Sequence, residues 1–131
     1  MASKFIALPK SVSEKSFAAA IAEFRRIVGQ DSVLVTAEQL APYIKTMMPV
    51  PDADHTPSAA LLATTVEQIQ KIVGICNTYK VPIWMISTGR NFGYGSAAPA
   101  ERGQVVLDLK RMNRILEVDP DLCFALVEAG V

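Results

Sequence analysis

A glycine-rich stretch, residues 87–99 (STGRNFGYGSAAP), combines a bare backbone with a few side chains that are suited to binding chemistry. Gly89, Gly93 and Gly95 allow backbone N–H groups to approach a ligand closely and to adopt positive φ angles. Successive N–H groups that face inward form a concave site for an anion such as pyrophosphate. Arg90 can add positive charge to such a site. Side chains that can add hydrogen bonds are Ser87, Thr88, Asn91 and Ser96.

The spacing of these glycines separates the loop from two common phosphate-binding motifs. The dinucleotide motif G-x-G-x-x-G opens into a helix, whereas these glycines run G-x-x-x-G-x-G and lead through Pro99 towards another strand. The Gly-Lys-Ser/Thr of nucleoside triphosphatase loops is absent. Glycines also mark plain connections between strands, so an anion-binding loop and a simple connection both stay open on spacing alone.

The loop follows a pattern that is typical of a βαβ unit. Residues 57–63 (PSAALLA) predict a strand, and a capping box of Thr64 and Glu67 begins a helix. Residues 81–87 (VPIWMIS) then predict a second strand that is covered on both faces. Ligands bind beyond the carboxyl ends of parallel strands, which is where this loop begins. The helix residues predicted to face the core are Val66, Ile69, Ile72, Val73 and Cys76.

The segment upstream of this unit predicts a helix and an irregular connector. Ser11 and Glu14 form a capping box, and the helix that follows ends at Gly29. Residues 32–35 (SVLV) predict a short strand. Three prolines make residues 41–56 an irregular connector.

The segment downstream of the loop adds strands, which makes the fold α+β. Residues 103–109 (GQVVLDL) predict a strand, and residues 112–129 predict a hairpin that turns at Asp-Pro-Asp. We therefore expect a βαβ unit followed by a glycine-rich loop and further strands. Residues 1–56 are interpreted as an N-terminal helix and connector, and residues 57–131 as the main unit.

Composition and charge disfavour several classes of partner. Half of the 131 residues are apolar, which suffices for one compact domain. Lys and Arg total 13 and Asp and Glu total 13, so no net charge favours nucleic acid or a membrane surface. Neither a spanning segment nor a secretory signal is evident, which predicts a soluble, cytoplasmic chain. Residues 123–131 end in a strand pattern without a polar tail, which predicts a truncated chain.

Residues 86–131, beginning ISTGRNFGYGSAAP and ending LCFALVEAGV, resemble the FAD-binding domain of the vanillyl-alcohol oxidase and p-cresol methylhydroxylase flavoprotein family. The resemblance continues through residues 47–84 and, more loosely, to residues 7–12 (ALPKSV). Within this family, the sequence is most similar to the branch that oxidises 4-alkylphenols. The resemblance implies that residues 57–131 are the first, truncated part of a p-cresol methylhydroxylase-type FAD-binding domain and that the cofactor is FAD.

The resemblance also implies roles for the loop residues. Tyr94 would contact the phenolic oxygen of the substrate and is the candidate catalytic residue, although the residue alone is typical of ordinary loop packing. The other residues would wrap the FAD pyrophosphate, largely through backbone amides, and no metal is implied. These cofactor-binding residues are Ser87, Thr88, Gly89, Arg90, Asn91, Phe92, Gly93, Gly95 and Ser96.

The activity implied by the resemblance is hydride transfer from the benzylic carbon of a 4-alkylphenol to FAD. Electrons would then pass to a cytochrome c subunit or to oxygen, in a homodimeric flavoprotein for which a periplasmic location also fits. The remaining FAD contacts and the substrate-covering domain of the family are not found in these 131 residues, so we expect the chain alone to be inactive. A non-catalytic nucleotide- or anion-binding module and a degenerate fragment are the alternatives.

Several other residues are interpreted as structural. His55, the only histidine, is expected to be exposed in a loop, because it lacks positioned partners for acid–base or metal chemistry. Lys110, Arg111 and Arg114 are expected to form a solvated turn face. Core positions are predicted for Trp84, Met85 and Ile86, and reduced structural thiols for Cys76 and Cys123.

Overall fold

The architecture was obtained as a computed structural model that describes residues 5–46, 49–89 and 96–131. Within these residues no helix is both long and apolar enough to cross a lipid bilayer. The helices and strands are α1 (Glu14–Val28), β1 (Val33–Leu34), α2 (Ala37–Leu40), β2 (Ala59–Leu62), α3 (Val66–Tyr79), β3 (Ile83–Ile86), β4 (Val105–Asp108), β5 (Ile115–Asp119) and β6 (Phe124–Val127). Short 3-10 helices lie at Gln30–Ser32, Ala41–Tyr43 and Asp52–His55.

Four strands form a mixed sheet in the order β1-β2-β4-β3, and β5 and β6 form a separate antiparallel pair. Strands β2 and β3 both run parallel to β4, which lies between them, while β1 runs antiparallel to β2. The βαβ unit predicted from the sequence is therefore confirmed as β2-α3-β3. The inserted strand, β4, comes after the glycine loop, so this loop also joins two parallel strands.

One face of the four-stranded sheet packs against α1 and α3. Its core contains Phe17 and Phe24 from α1, Ile72 from α3, and Leu61 and Leu107 from the sheet, all fully buried. Burying each such side chain contributes roughly 1.5–3 kcal/mol relative to leaving it in water. This apolar layer therefore fixes the two helices on one face of the sheet.

The opposite face carries a smaller apolar cluster that includes Ile86, the last residue of β3. Leu40 and Tyr43 pack there on Ala60, Val106 and Ile86, and all five residues are buried. Half-buried side chains at the border of this cluster are Ile6, Leu34, Trp84 and Ala97. Ala97, just after Ser96 at the end of the glycine loop, therefore packs on this face of the sheet.

Strand β3 differs from the prediction that it is covered on both faces. It is an edge strand, paired only with β4 among the described strands. Met85 is 63% exposed, so its predicted core position is wrong, whereas Ile86 is buried as predicted. Apolar runs do not separate an edge strand from a central one, since both can have one covered face.

The helix caps lie one or two residues later than predicted. Ser13, not Ser11, caps α1 by accepting a hydrogen bond of 3.2 Å from a backbone N–H of the first turn. Thr65, not Thr64, caps α3 by accepting one of 3.3 Å from the N–H of Gln68. The end of α1 at a glycine is confirmed, because its N–H bonds the carbonyl oxygen of Arg25.

The buried face of α3 is rotated from the predicted one. Ile72 and Cys76 are buried as predicted, and Ile75 is buried with them. Val66 and Val73 are 54% and 42% exposed, so their predicted core positions are wrong. The two exposed valines are seven residues apart and so lie on the same side of the helix, which α1 and the sheet leave uncovered.

The predicted hairpin is confirmed as β5–β6. Its turn is held by Asp119, whose carboxylate accepts bonds of 2.9 and 2.8 Å from the N–H groups of Asp121 and Leu122. A register shift between Ile115 and Glu117 bends the first strand. Every residue of β6 and most of β5 are exposed, so the hairpin is held mainly by its own pairing.

Candidate functional site

The carboxyl ends of three parallel strands meet at one edge of the sheet. The last residues of β2, β4 and β3 are Leu62, Asp108 and Ile86, and they lie opposite one another in register. Ser87 follows immediately, so the glycine loop begins at this edge. In open α/β sheets, ligands bind beyond this edge.

The described part of the loop offers hydroxyl groups and backbone to solvent. Ser87 and Thr88 are exposed, and the Thr88 N–H donates a 2.6 Å hydrogen bond to the Ser87 hydroxyl. At the other end, the half-buried Ser96 accepts a 3.2 Å bond from the Ala98 N–H. The predicted site residues that lie outside the described residues are Arg90, Asn91, Phe92, Gly93, Tyr94 and Gly95.

Gly89 brings the two ends of the loop together. Its φ is +73°, a left-handed conformation that favours glycine. A Cβ at this position would lie 3.0 Å from the Ala97 Cβ and 3.6 Å from the Ile86 Cδ1. The backbone of Gly89 therefore packs directly on the cluster beneath the loop, and a side chain would push the two ends apart.

His55 and Arg102 anchor the far end of the loop to the connector. The His55 Nδ1 lies 2.8 Å from the carbonyl oxygen of Pro99, a distance at which a protonated Nδ1 donates a hydrogen bond. The Arg102 guanidinium donates bonds of 2.7 and 3.0 Å to the carbonyl oxygens of Ala53 and Ile6. His55 is half-buried and bonded, so the exposed loop histidine predicted from the sequence is wrong.

A buried polar network lies at the end of β4, and the sequence analysis missed it. Asp108, with a side chain only 4% exposed, accepts a 2.6 Å hydrogen bond from the Tyr43 hydroxyl. The Lys110 ammonium lies 3.1 Å from the same carboxylate oxygen and 3.2 Å from the Tyr43 hydroxyl. The Lys110 N–H completes the set with a 2.8 Å bond to the second oxygen. The available signal was a carboxylate inside an apolar strand, which requires a buried partner.

This environment shifts the pKa values of two network members. Burial, and then the bond to Asp108, raise the pKa of Tyr43, so its hydroxyl is protonated and donates at neutral pH. Burial lowers the pKa of Lys110, but its bonds to Tyr43 and Asp108 outweigh this effect, and the pKa is raised. Over the neutral range Tyr43 is therefore a neutral hydroxyl and Lys110 an ammonium.

The three basic residues predicted to form a solvated turn face are exposed as predicted, and each also has a partner. Lys110 pairs with Asp108, and Arg111 donates a 2.8 Å bond to the Ser32 hydroxyl. Arg114 forms a 2.7 Å ion pair with Glu128 across the hairpin. These side chains fasten β4 and the hairpin to their neighbours while their outer parts reach solvent.

The two cysteines differ in their surroundings. Cys76 is buried between α3 and the sheet, and this burial raises the pKa of its thiol to about 11. Cys123 is exposed at the tip of the hairpin. A thiol with so high a pKa is a poor nucleophile at neutral pH, which agrees with a structural role for Cys76.

Comparison with known sequences assigns the chain to a family. A family model described as an FAD binding domain matches residues 57–131, more than half of the chain. The chain belongs to the FAD-binding domain family. FAD is accordingly the cofactor of this domain. The family resemblance inferred from the loop sequence is confirmed.

Several similar proteins have names that refer to a phenol. The flavoprotein subunit of 4-cresol dehydrogenase [hydroxylating] from Pseudomonas putida is 62% identical over 124 residues, or 95% of this chain and 24% of that protein. The crystal structure of p-cresol methylhydroxylase with substrate bound superposes with a TM-score of 0.92, at 62% identity over 95% of this chain and 24% of that one. For a 4-ethylphenol oxidase from Gulosibacter chungangensis the TM-score is 0.88 and the identity 38%, again over 95% of this chain and 24% of that one.

The chain spans about a quarter of the length of each of these relatives. It corresponds to the FAD-binding part of a flavoprotein that is similar to 4-cresol dehydrogenase. The α+β fold expected for the N-terminal portion of such a domain is confirmed by the superposition.

Proposed function

We propose that this chain supplies the pyrophosphate-binding loop of a flavoprotein that dehydrogenates 4-alkylphenols of the 4-cresol class. One observation carries the proposal. The loop starts at the carboxyl edge of parallel strands, and at Gly89 its bare backbone packs on Ala97 with a φ of +73°. The identity of 62% to the flavoprotein subunit of 4-cresol dehydrogenase supports the choice of substrate class.

The described loop residues fit a pyrophosphate group. Ser87 and Thr88 are exposed beside the strand ends, and Gly89 allows the backbone to turn at a positive φ against Ala97. In this proposal backbone N–H groups of the loop bind the two phosphates, and Arg90 adds a positive charge. Charge-assisted hydrogen bonds of this kind are about twice as strong as neutral ones.

Tyr94 is proposed to act on the substrate rather than on the phosphates. When bound, FAD supplies the acceptor for the hydride that leaves the benzylic carbon. A free phenol has a pKa near 10, and oxidation is favoured when its oxygen carries negative charge. The Tyr94 hydroxyl would donate a hydrogen bond to that oxygen and stabilise the charge where it develops.

The proposed complete enzyme has partners beyond this chain. By name, the 62% identical relative is a flavoprotein subunit, which supports a second subunit that accepts electrons. We propose that a cytochrome c subunit fills this role and that the flavoprotein forms a homodimer. Because the chain spans about a quarter of its relatives, we expect it to bind FAD without oxidising 4-cresol by itself.

An FAD titration of the purified chain tests the loop assignment. FAD fluorescence and the thermal midpoint would be followed for the parent, Arg90→Ala and Tyr94→Phe, since a ligand of the folded state raises its apparent stability. We expect saturable binding that Arg90→Ala weakens by about tenfold or more and Tyr94→Phe leaves within about twofold. Absence of binding to a folded parent chain, or an equal loss in both variants, would contradict the assignment.

A further inference from the structure

The network of Tyr43, Asp108 and Lys110 contains no residue of the glycine loop. Its carboxylate accepts three hydrogen bonds while almost fully buried, at the last residue of β4. Stability alone explains such an arrangement poorly, because the burial of the Asp108 carboxylate offsets much of the attraction to its partners. Its place in the fold is more informative.

Asp108 lies directly beside the point where the glycine loop begins. It is opposite Ile86, the last residue of β3, and the next N–H, that of Leu109, donates a 3.0 Å bond to the Ile86 carbonyl oxygen. The three bonds to the Asp108 carboxylate fix the turn that follows β4, and this turn fixes the end of β3. The residue after Ile86 is the first of the loop.

Tyr43 reaches the loop through the apolar cluster. It belongs to the same buried cluster as Ile86, and the half-buried Ala97 packs against that cluster. A Cβ added to Gly89 would lie only 3.0 to 3.6 Å from these two side chains, so the Gly89 backbone rests on them. The network thus supports the apolar cluster on which both described ends of the loop pack.

We propose that Tyr43, Asp108 and Lys110 are positioning residues that hold the two described ends of the glycine loop, residues 87–89 and 96–97, in place for FAD binding. The inference rests on the proposed function, in which this loop binds the pyrophosphate. Backbone amides bind an anion well only when they are already aligned, since ordering a loose loop during binding reduces affinity. In this proposal the network holds the two ends of the loop in place before the cofactor arrives.

Tyr43→Phe tests the inference, because it removes one 2.6 Å hydrogen bond and keeps the ring. Tyr79→Phe is its matched control, since the Tyr79 hydroxyl donates a bond of the same 2.6 Å length to the Glu23 carboxylate, between α3 and α1. We expect Tyr43→Phe to weaken FAD and ADP binding by about tenfold at a temperature where all chains are folded, and Tyr79→Phe to change it by less than about twofold.

Hydrogen exchange of the ligand-free chains gives a second readout. Tyr43→Phe should speed exchange of the Leu109 N–H, which bonds Ile86, and of residues 87–89. The Val81 N–H, bonded to Cys76 at the other end of β3, should not change. A purely structural role would lower the unfolding temperature, leave FAD affinity unaltered among folded molecules, and speed all these amides together.

A charge-matched pair covers the case in which Tyr43→Phe fails to fold. Lys110→Gln leaves the Tyr43–Asp108 bond in place, and Arg111→Gln removes an equal charge one residue away. We expect FAD affinity to fall about threefold or more in Lys110→Gln and to change less in Arg111→Gln. Equal losses would assign the effect to general electrostatics and overturn the inference.

The outcomes separate the two proposals. If the parent binds FAD and Tyr43→Phe binds it equally well, the positioning role is overturned and the loop assignment stands. If the folded parent binds no FAD, the loop assignment is overturned, and the positioning role towards FAD falls with it. Selective loss in Tyr43→Phe with local exchange at Leu109 supports both.

Discussion

Gly103 marks a place where two distant parts of the backbone nearly touch. Its φ is +88°, and a Cβ there would overlap the carbonyl group of Leu8. Its N–H donates a 2.9 Å bond to the carbonyl oxygen of Thr56. The segment before β4 therefore fits against the start of the chain only when this residue lacks a side chain.

Gly103→Ala should destabilise the chain by about 2–4 kcal/mol, because both backbone strain and overlap with a rigid carbonyl contribute. Gly74→Ala is the control, since a Cβ at this position in α3 meets nothing within 4 Å. That change should stabilise the chain by up to about 1 kcal/mol through helix propensity. Urea unfolding measures both, and a loss below about 0.5 kcal/mol for Gly103→Ala would contradict the packing described.

Individual residues also show where the sequence stops being informative. The start of the loop at Ser87 could be predicted, because an apolar run that gives way to hydroxyl residues and glycine marks the end of a strand. Tyr43 and Asp108 were not paired, since 65 positions separate them and only the fold brings them together. The sequence around His55 is likewise typical of a loop, and its partner, Pro99, is 44 positions away.

At the level of elements, the β5–β6 hairpin is closed by an ion pair as well as by its turn. Arg114 donates three bonds of 2.7 to 2.9 Å to the Glu128 carboxylate, from its side chain and its own N–H. The Arg114 side chain, and then its N–H, lower the pKa of Glu128. Glu128 is thus held ionised at the open end of the hairpin.

Acidification should therefore loosen this end of the hairpin first. Because the pKa of Glu128 is lower in the folded chain than in the unfolded one, its contribution is present above its ordinary pKa and is lost as pH falls through the lowered value. We expect NMR amide shifts of Arg114 and Glu128 to change together below pH about 4.5. Glu128→Gln should show no such step, and the exposed Glu117→Gln should retain it.

Element prediction succeeded where pattern and chemistry coincide. The hairpin, α1 and the βαβ unit follow from apolar periods and turn residues, and all are present. The caps were misplaced, because adjacent serines and threonines all satisfy the same local rule and packing selects one. The exposure of Met85 was missed for a different reason, since strand order is decided by a later segment, β4.

Across the whole molecule, exposed apolar side chains concentrate in the hairpin. By contrast, the four-stranded sheet is covered on one face by helices and on the other by the Tyr43 cluster. A two-stranded hairpin with so much exposed apolar surface is marginal in water. The large exposed apolar residues of this region are Ile115, Leu116, Val118, Leu122, Phe124, Leu126, Val127 and Val131.

We expect the 131-residue chain to self-associate through this hairpin. Replacing Val118 and Leu126 with threonine should lower the association constant by about tenfold, because exposed apolar area drives such contacts. Replacing Val66 and Val73 on α3 is the control, since it removes exposed apolar side chains elsewhere. Sedimentation velocity over a range of concentrations measures both, and an equal decrease in the two variants would count against the hairpin as the contact.

The anchors of the loop have a consequence for how such flavoproteins diverge and recombine. The family match covers residues 57–131, yet Gly103 depends on Leu8, Arg102 on Ile6 and Asp108 on Tyr43. An exchange between homologous genes at residue 57 would separate each pair and mix partners of different ancestry. Chimeras joined before residue 5 keep these pairs together, so natural and engineered crossovers should be tolerated there far better than at the family boundary.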